Sequence, residues 1–166
     1  MADLQKAVDV LKQGGVIAYP TEYCFGLGCD PLNVAAIKRI LAIKRRQQQQ
    51  GLILIAAEVS QLSPYADVSN AQYYQQIIDS WPGPFTWLLT AKPSVSKWVR
   101  GAHRSVAVRV TNHAQSRALC QQFGHVIIST SANRHGEAEL MTVEHIEQVL
   151  GDEVDYIVEG LSLIHI

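Results

Sequence analysis

Residues 52–57, Leu-Ile-Leu-Ile-Ala-Ala, form an uninterrupted apolar run of strand length. A strand with one wet face alternates polar and apolar residues, so an unbroken run predicts a strand covered on both faces. The rest of the chain supplies the cover. Residues 3–13 read as a helix, with Leu4, Ala7, Val8 and Leu11 on one face and Gly14-Gly15 as a stop. Residues 33–45 form a second, with Val34, Ile37, Leu41 and Lys44 at helical spacing, and further helices are expected near 71–80, 114–122 and 143–150. Strands are expected at 16–19, ended by Pro20, and at 85–91, 105–110, 126–129 and 154–158. A glycine-spaced segment, Phe25-Gly26-Leu27-Gly28, follows the first strand, and Trp81-Pro82-Gly83-Pro84 breaks the chain hard. Strands interleaved with helices predict an α/β fold whose sheet is mixed or mostly parallel.

The formal net charge is −1, but the charges are segregated. No acid lies between Asp30 and Glu58, or between Asp79 and Glu137, and every Lys and Arg except Lys6 and Lys12 lies in those two stretches. Such segregation supports a cationic concavity that attracts an anionic ligand, or a solvated basic face without one. Several classes are disfavoured. No run approaches the roughly 18 apolar residues of a membrane span, and the start does not read as a secretory signal. Cys24, Cys29 and Cys120 lack zinc-site spacing and read as structural thiols of a reduced, cytoplasmic protein. No dedicated metal site is expected. There is no P-loop, no Gly-x-Ser-x-Gly elbow, and Gly26-x-Gly28 lacks the third glycine of a dinucleotide fingerprint. Those glycines read as allowing close backbone packing.

Four pieces carry the candidate chemistry. Lys44-Arg45-Arg46 ends the second helix, where cations offset the helix dipole or grip phosphate oxygens. Arg109 sits mid-strand on the same face as Ser105 and Ala107, which requires an anionic ligand or an internal carboxylate partner. Ser129-Thr130-Ser131-Ala132-Asn133 follows the strand ending at Ile128, as a ligand-binding strand end or an ordinary turn. Pro20-Thr21-Glu22 leaves a strand end with the same two readings, and Glu22 has no assigned role. Trp81, Trp87 and Trp98 read as core or rim.

Taken together, these pieces resemble the YrdC/TsaC family of threonylcarbamoyl-AMP synthases. The matching segments are residues 15–22, 25–30, Lys44-Arg45-Arg46 with residues 51–55, residues 81–86, 106–110 and 129–133, running in order from about residue 3 to 160. The resemblance implies a YrdC-like twisted, mixed and partly parallel sheet with helices packed on it around a cationic pocket, as one domain over residues 1–160. It implies an enzyme, a nucleotidyltransferase, that makes L-threonylcarbamoyladenylate and pyrophosphate from L-threonine, bicarbonate and ATP with Mg2+. That product feeds t6A modification at position 37 of ANN-decoding tRNAs through downstream threonylcarbamoyl-transferase proteins. By motif, Thr21, Arg109 and Ser129 hold threonine, with Arg109 forking onto its carboxylate. Lys44 and Arg46 are the catalytic cations and, with Gln50, Ser105, Ser131 and Asn133, serve ATP. Two places depart from the family pattern: Gln47 and Gln50 stand where Pro and Lys or Asn are usual, and residues 161–166 do not resemble the family's continuation, which implies a truncated tail. A module binding tRNA or double-stranded RNA without catalysis is the alternative.

Overall fold

The computed structural model describes residues 4–160. In chain order they form α1 (Gln5–Lys12), β1 (Ile17–Pro20), β2 (Phe25–Cys29), α2 (Val34–Lys44), a 3-10 turn (Gln48–Gln50) and β3 (Ile53–Ala56). Then come α3 (Val59–Leu62), α4 (Tyr74–Asp79), β4 (Trp87–Thr90), α5 (Lys97–Arg100), β5 (Ser105–Val110), α6 (Ala114–Phe123), β6 (Ile127–Ser131), α7 (Val143–Leu150) and β7 (Tyr156–Ile157). The seven strands make one sheet in the order β4-β5-β3-β6-β2-β1-β7. Only β3–β5 and β1–β7 pair parallel, and the other neighbours are antiparallel. The sheet is therefore mixed, and a mostly parallel arrangement does not form. Part of the reason is local: β1 and β2 are joined only by residues 21–24, too short for a parallel crossover.

Alternation along each strand divides the apolar residues between two cores. Phe25, Leu27, Leu54, Ala56, Val106, Val108 and Ile128 point to one face, where α2, α3, α4, α5 and α7 contribute Ile37, Ile40, Leu62, Ile77, Val99 and Ile146. Ile17, Tyr19, Ile55 and Ile127 point to the other, beneath Leu4 at the start of α1, Val8 and Leu11 of α1, and Leu119 and Phe123 of α6. The run at 52–57 is covered on both faces as expected, with Leu54 and Ala56 in one core and Ile55 and Ala57 in the other. The second face is only partly roofed. α1 and α6 lie over its β1, β6 and β3 portion, while Arg109, Ile53, Ser129, Ser131 and Gly26 line open space.

The structure corrects several local expectations. Phe25–Cys29, which the sequence marks only as a glycine-spaced segment allowing close backbone packing, is β2, hydrogen-bonded between β1 and β6. The glycines are there because Tyr19 needs the room. A methyl group on Gly28 would lie 2.8 Å from the Tyr19 ring and 2.9 Å from the Ile128 carbonyl oxygen. β6 runs on through Ser131 instead of ending at the hydroxyl-rich segment, because Ser129 and Ser131 are registered against Gly28 and Gly26. The helix expected at 71–80 is shortened to α4, the strands at 85–91 and 154–158 contract to β4 and β7, and α3, α5 and the 3-10 turn had no clear sequence signal. No helix among the described residues is long and apolar enough to cross a membrane. The expected atypical tail, 161–166, lies outside the described residues.

The close seat of Tyr19 on β2 is testable. Gly28→Ala should lower the unfolding free energy in urea by about 1–3 kcal/mol, the usual range for overpacking; an unchanged midpoint and slope would show that β2 can yield.

Candidate active site

The open part of the second face is a cleft of about 380 Å³. Thr21, Tyr23, Cys24, Gly26, Arg46, Ile53, Arg109, Ser129, Thr130, Ser131, Glu139 and Met141 line it. Five of the residues expected to bind ligand thus meet in one place: Thr21, Arg46, Arg109, Ser129 and Ser131. The sheet accounts for most of this. Ile53 is registered against both Ser129 and Ala107, and Ile55 against Arg109, so β3 sets the distance between the hydroxyls of β6 and the arginine of β5. Thr21 belongs to the β1–β2 turn, where its hydroxyl donates to the Cys24 carbonyl oxygen at 2.7 Å.

Lys44 and Arg46 reach the site through the way α2 ends. Arg45 adopts the left-handed conformation at φ 53°. Its N–H bonds the Ala42 carbonyl at 3.1 Å, and the Arg46 N–H bonds the Leu41 carbonyl at 3.0 Å. This is the paired pattern that closes a helix C-terminus, here without the usual glycine. The reversal leaves Arg45 exposed while Lys44 and Arg46 turn inward. The last carbonyls of α2 are also taken by others: Arg134 Nη1 donates to Ile43 at 3.1 Å and the His135 N–H to Lys44 at 2.8 Å. Lys44 therefore does not cap its own helix. Its ammonium donates to the Ser131 carbonyl at 2.8 Å, to Ser131 Oγ at 3.2 Å and to Asn133 Oδ1 at 2.5 Å. Lys44 is not itself on the cleft lining; its charge sits behind Ser131. Burial, reinforced by the Arg46 charge, pulls the Lys44 ammonium down to about 8. Arg46 donates Nε and Nη2 to the Gly51 carbonyl at 3.2 and 3.1 Å.

Arg109 has the internal carboxylate that the sequence left open. Its Nε lies 3.6 Å from Glu22 Oε2, with side chains 12% and 10% exposed, and Nη1 donates to Thr86 Oγ1 at 3.3 Å. The guanidinium still lines the cleft. Beside it is the fully buried Tyr19, whose phenol burial pushes well above its ordinary range, against the opposing influence of Ser129.

Gln50 and Ser105 fall outside this cleft. They line an adjoining depression of about 240 Å³ with Gly51, Leu88, Arg100, His103 and Ala107. The two hollows share one face of β5, on which Ser105, Ala107 and Arg109 alternate with buried Val106, Val108 and Val110. Arg46, on the cleft lining, is bonded to Gly51, which lines the depression. Asn133 enters through Lys44 and through Ser131 Oγ, which donates to it at 2.8 Å. The reading of the sequence missed Tyr23, Cys24, Glu139 and Met141. Only Glu139 carried a signal, as an acid just after an acid-free stretch; its segment returns to the site because Leu140 bonds Phe25 and Ala132 through the backbone. The tryptophans lie elsewhere: Trp81 and Trp87 bond Phe85 and Ser80, and Trp98 lies under the Lys38 ammonium. Burial raises all three thiols, Cys24 to about 11 and Cys120 to about 12, which fits structural roles. No group of three or more metal-ligating side chains occurs among the described residues.

Residues 9–165 match the Sua5/YciO/YrdC family, described as telomere recombination. A threonylcarbamoyl-AMP synthase of Vibrio vulnificus is 46% identical over 162 residues, covering 96% of this chain and 87% of that protein. Another, of Coxiella burnetii, is 43% identical over 157 residues, covering 95% and 84%. P. abyssi Sua5, solved in complex with L-threonine, superposes with a TM-score of 0.87 at 27% identity over 96% of this chain. The chain spans 47% of that larger protein.

The desolvation of Lys44 has a measurable sign. Below about pH 8 Lys44 carries its proton in both the folded and unfolded chain, so its burial penalty is constant. Between about 8 and the ordinary value of 10.5 only the unfolded chain keeps the proton, so folded stability rises with pH over that window. The unfolding free energy of the wild type relative to Lys44→Met should therefore climb through this range in urea titrations. A flat difference would mean that the ammonium is not desolvated.

Proposed function

Because the chain belongs to the Sua5/YciO/YrdC family, we infer that it is a threonylcarbamoyl-AMP synthase, an enzyme that forms L-threonylcarbamoyladenylate from L-threonine, bicarbonate and ATP. The observation that carries the reading is the convergence of Thr21, Arg46, Arg109, Ser129 and Ser131, from distant parts of the chain, on one cleft. The threonine complex of the P. abyssi relative supports placing the amino acid there, and favours the enzyme over an RNA-binding module. In this reading Arg109 forks onto the threonine carboxylate, with Thr21 and Ser129 as neighbouring polar contacts. Lys44 and Arg46 stabilise charge on the nucleotide phosphates, assisted by Ser131 and Asn133. Ser105 and Gln50, on the adjoining depression, take the more distant part of ATP.

The chemistry asks for no enzyme nucleophile. The threonine ammonium loses a proton, the amine adds to CO2 that bicarbonate yields as water leaves, the N–H gives up a second proton, and an oxygen of the resulting carbamate attacks the ATP α-phosphorus as pyrophosphate leaves. Placing two reactants and offsetting developing charge is then the main catalytic contribution. The cleft offers one carboxylate, Glu139, and several hydroxyls, which fits Mg2+ arriving on the triphosphate rather than in a protein cage. Mg2+ supplies charge neutralisation at the phosphates. The reading also entails a cytoplasmic setting and downstream proteins that pass the threonylcarbamoyl group to tRNA.

Pyrophosphate release with ATP, Mg2+ and bicarbonate should depend on L-threonine; a folded chain that releases none would refute the activity. Arg109→Ala should lower kcat/KM for threonine about a hundredfold, on the order of 3 kcal/mol for two charge-assisted hydrogen bonds, with the KM for ATP little changed. Arg109→Lys, which keeps the charge and loses the fork, should resemble it.

A further inference from the structure

Three buried side-chain polar atoms have no hydrogen-bond partner among the described residues: the Tyr19 hydroxyl, Glu22 Oε2 and Arg109 Nε. The last two face each other at 3.6 Å, close enough for an ion pair and too far for a direct hydrogen bond. The carboxylate is held from its other side. Glu22 Oε1 accepts from Thr111 Oγ1 at 2.9 Å, and the same hydroxyl accepts the His113 N–H at 3.1 Å. Thr111 is fully buried immediately after β5, and His113 caps the N-terminus of α6. Glu22 is thus fixed by rigid elements and not by the cleft.

This arrangement restrains Arg109 without using up its donors. Nη1 gives one hydrogen bond to Thr86; the remaining guanidinium N–H groups carry none among the described residues. An arginine withdrawn from water with no fixed anion would swing outward or stay mobile, because its lost hydration would go unoffset. An anion that attracts it without consuming the fork leaves it in place and ready for a carboxylate. We propose that Glu22, anchored by Thr111, is a positioning residue that presets the Arg109 guanidinium in the empty cleft and thereby sets the affinity for the amino-acid substrate. The proposal rests on the reading of the cleft as a threonine site. Its energetic basis is preorganisation: a side chain ordered before binding need not be ordered by the ligand.

The test uses Glu22→Ala, Glu22→Gln, Thr111→Val and the Glu22→Ala/Thr111→Val double variant, each checked for folding by circular dichroism. Glu22→Gln keeps the shape and an oxygen for Thr111 while removing the charge. In Glu22→Ala the KM and the calorimetric Kd for L-threonine should rise about tenfold, the scale of ordering one long side chain on binding. The rise should be smaller in Glu22→Gln, with kcat at saturating threonine and the KM for ATP within about twofold. Thr111→Val should shift threonine binding in the same direction and add little to Glu22→Ala, as expected for residues acting through one contact. Threonine affinity that is unchanged or tighter in both Glu22 variants would overturn the proposal, as would a fall in kcat at constant threonine KM. Calorimetry needs no turnover, so a chain that binds threonine but releases no pyrophosphate sinks the synthase reading and not this one. If threonine does not bind at all, the Arg109 Nε–Hε resonance of the free protein decides. It should be sharp in the wild type and broadened in Glu22→Ala, and identical spectra would refute the role of Glu22.

Discussion

Lys44 and Arg109 are cations drawn out of water, and each is held in place only where fixed acceptors offset its lost hydration. Much of the site's architecture follows from that requirement. Lys44 is met by the Ser131 carbonyl and hydroxyl and by Asn133, and Arg109 by Glu22 and Thr86. None of these partners is near its cation in sequence. Each contact therefore ties separate segments together: α2 to β6 in one case, β5 to the β1–β2 turn in the other.

The sheet makes these meetings possible. With β3 between β5 and β6, and β2 beyond β6, the arginine of one strand and the hydroxyls of another are spaced by fixed ladder distances. One face carries a full apolar layer, whereas α1 and α6 roof only part of the other. The uncovered part is lined largely by charge, hydroxyls and glycine, which water or a polar ligand can solvate. Gly26 and Gly28 answer to packing instead: the ring of Tyr19 lies against them, and side chains there would crowd it.

How legible this was in the sequence varied with the kind of signal. The strand at 52–57, the alternation at 105–110 and the helices α1, α2, α6 and α7 follow from periodicity, which the burial pattern repeats. Strand β2 was hidden because its glycines answer to the Tyr19 ring on the neighbouring strand and not to local propensity. The C-terminal turn of α2 was hidden too, since Arg45 takes a left-handed conformation normally left to glycine. Gln50 and Ser105 were grouped with the other ligand residues by motif, and the structure sets them in an adjoining hollow along the same strand face.

Residue types and their spacing along the chain determined the apolar strand, the segregation of charge and the presence of an arginine in mid-strand. Those properties are local and survive in any fold consistent with them. Which anion Arg109 meets, and which way Lys44 turns, were decided only when β5 came beside β3 and α2 was closed by Arg45. A side chain's electrostatic partner is chosen by distance in space, and at these distances the sheet, not the sequence separation, sets the spacing.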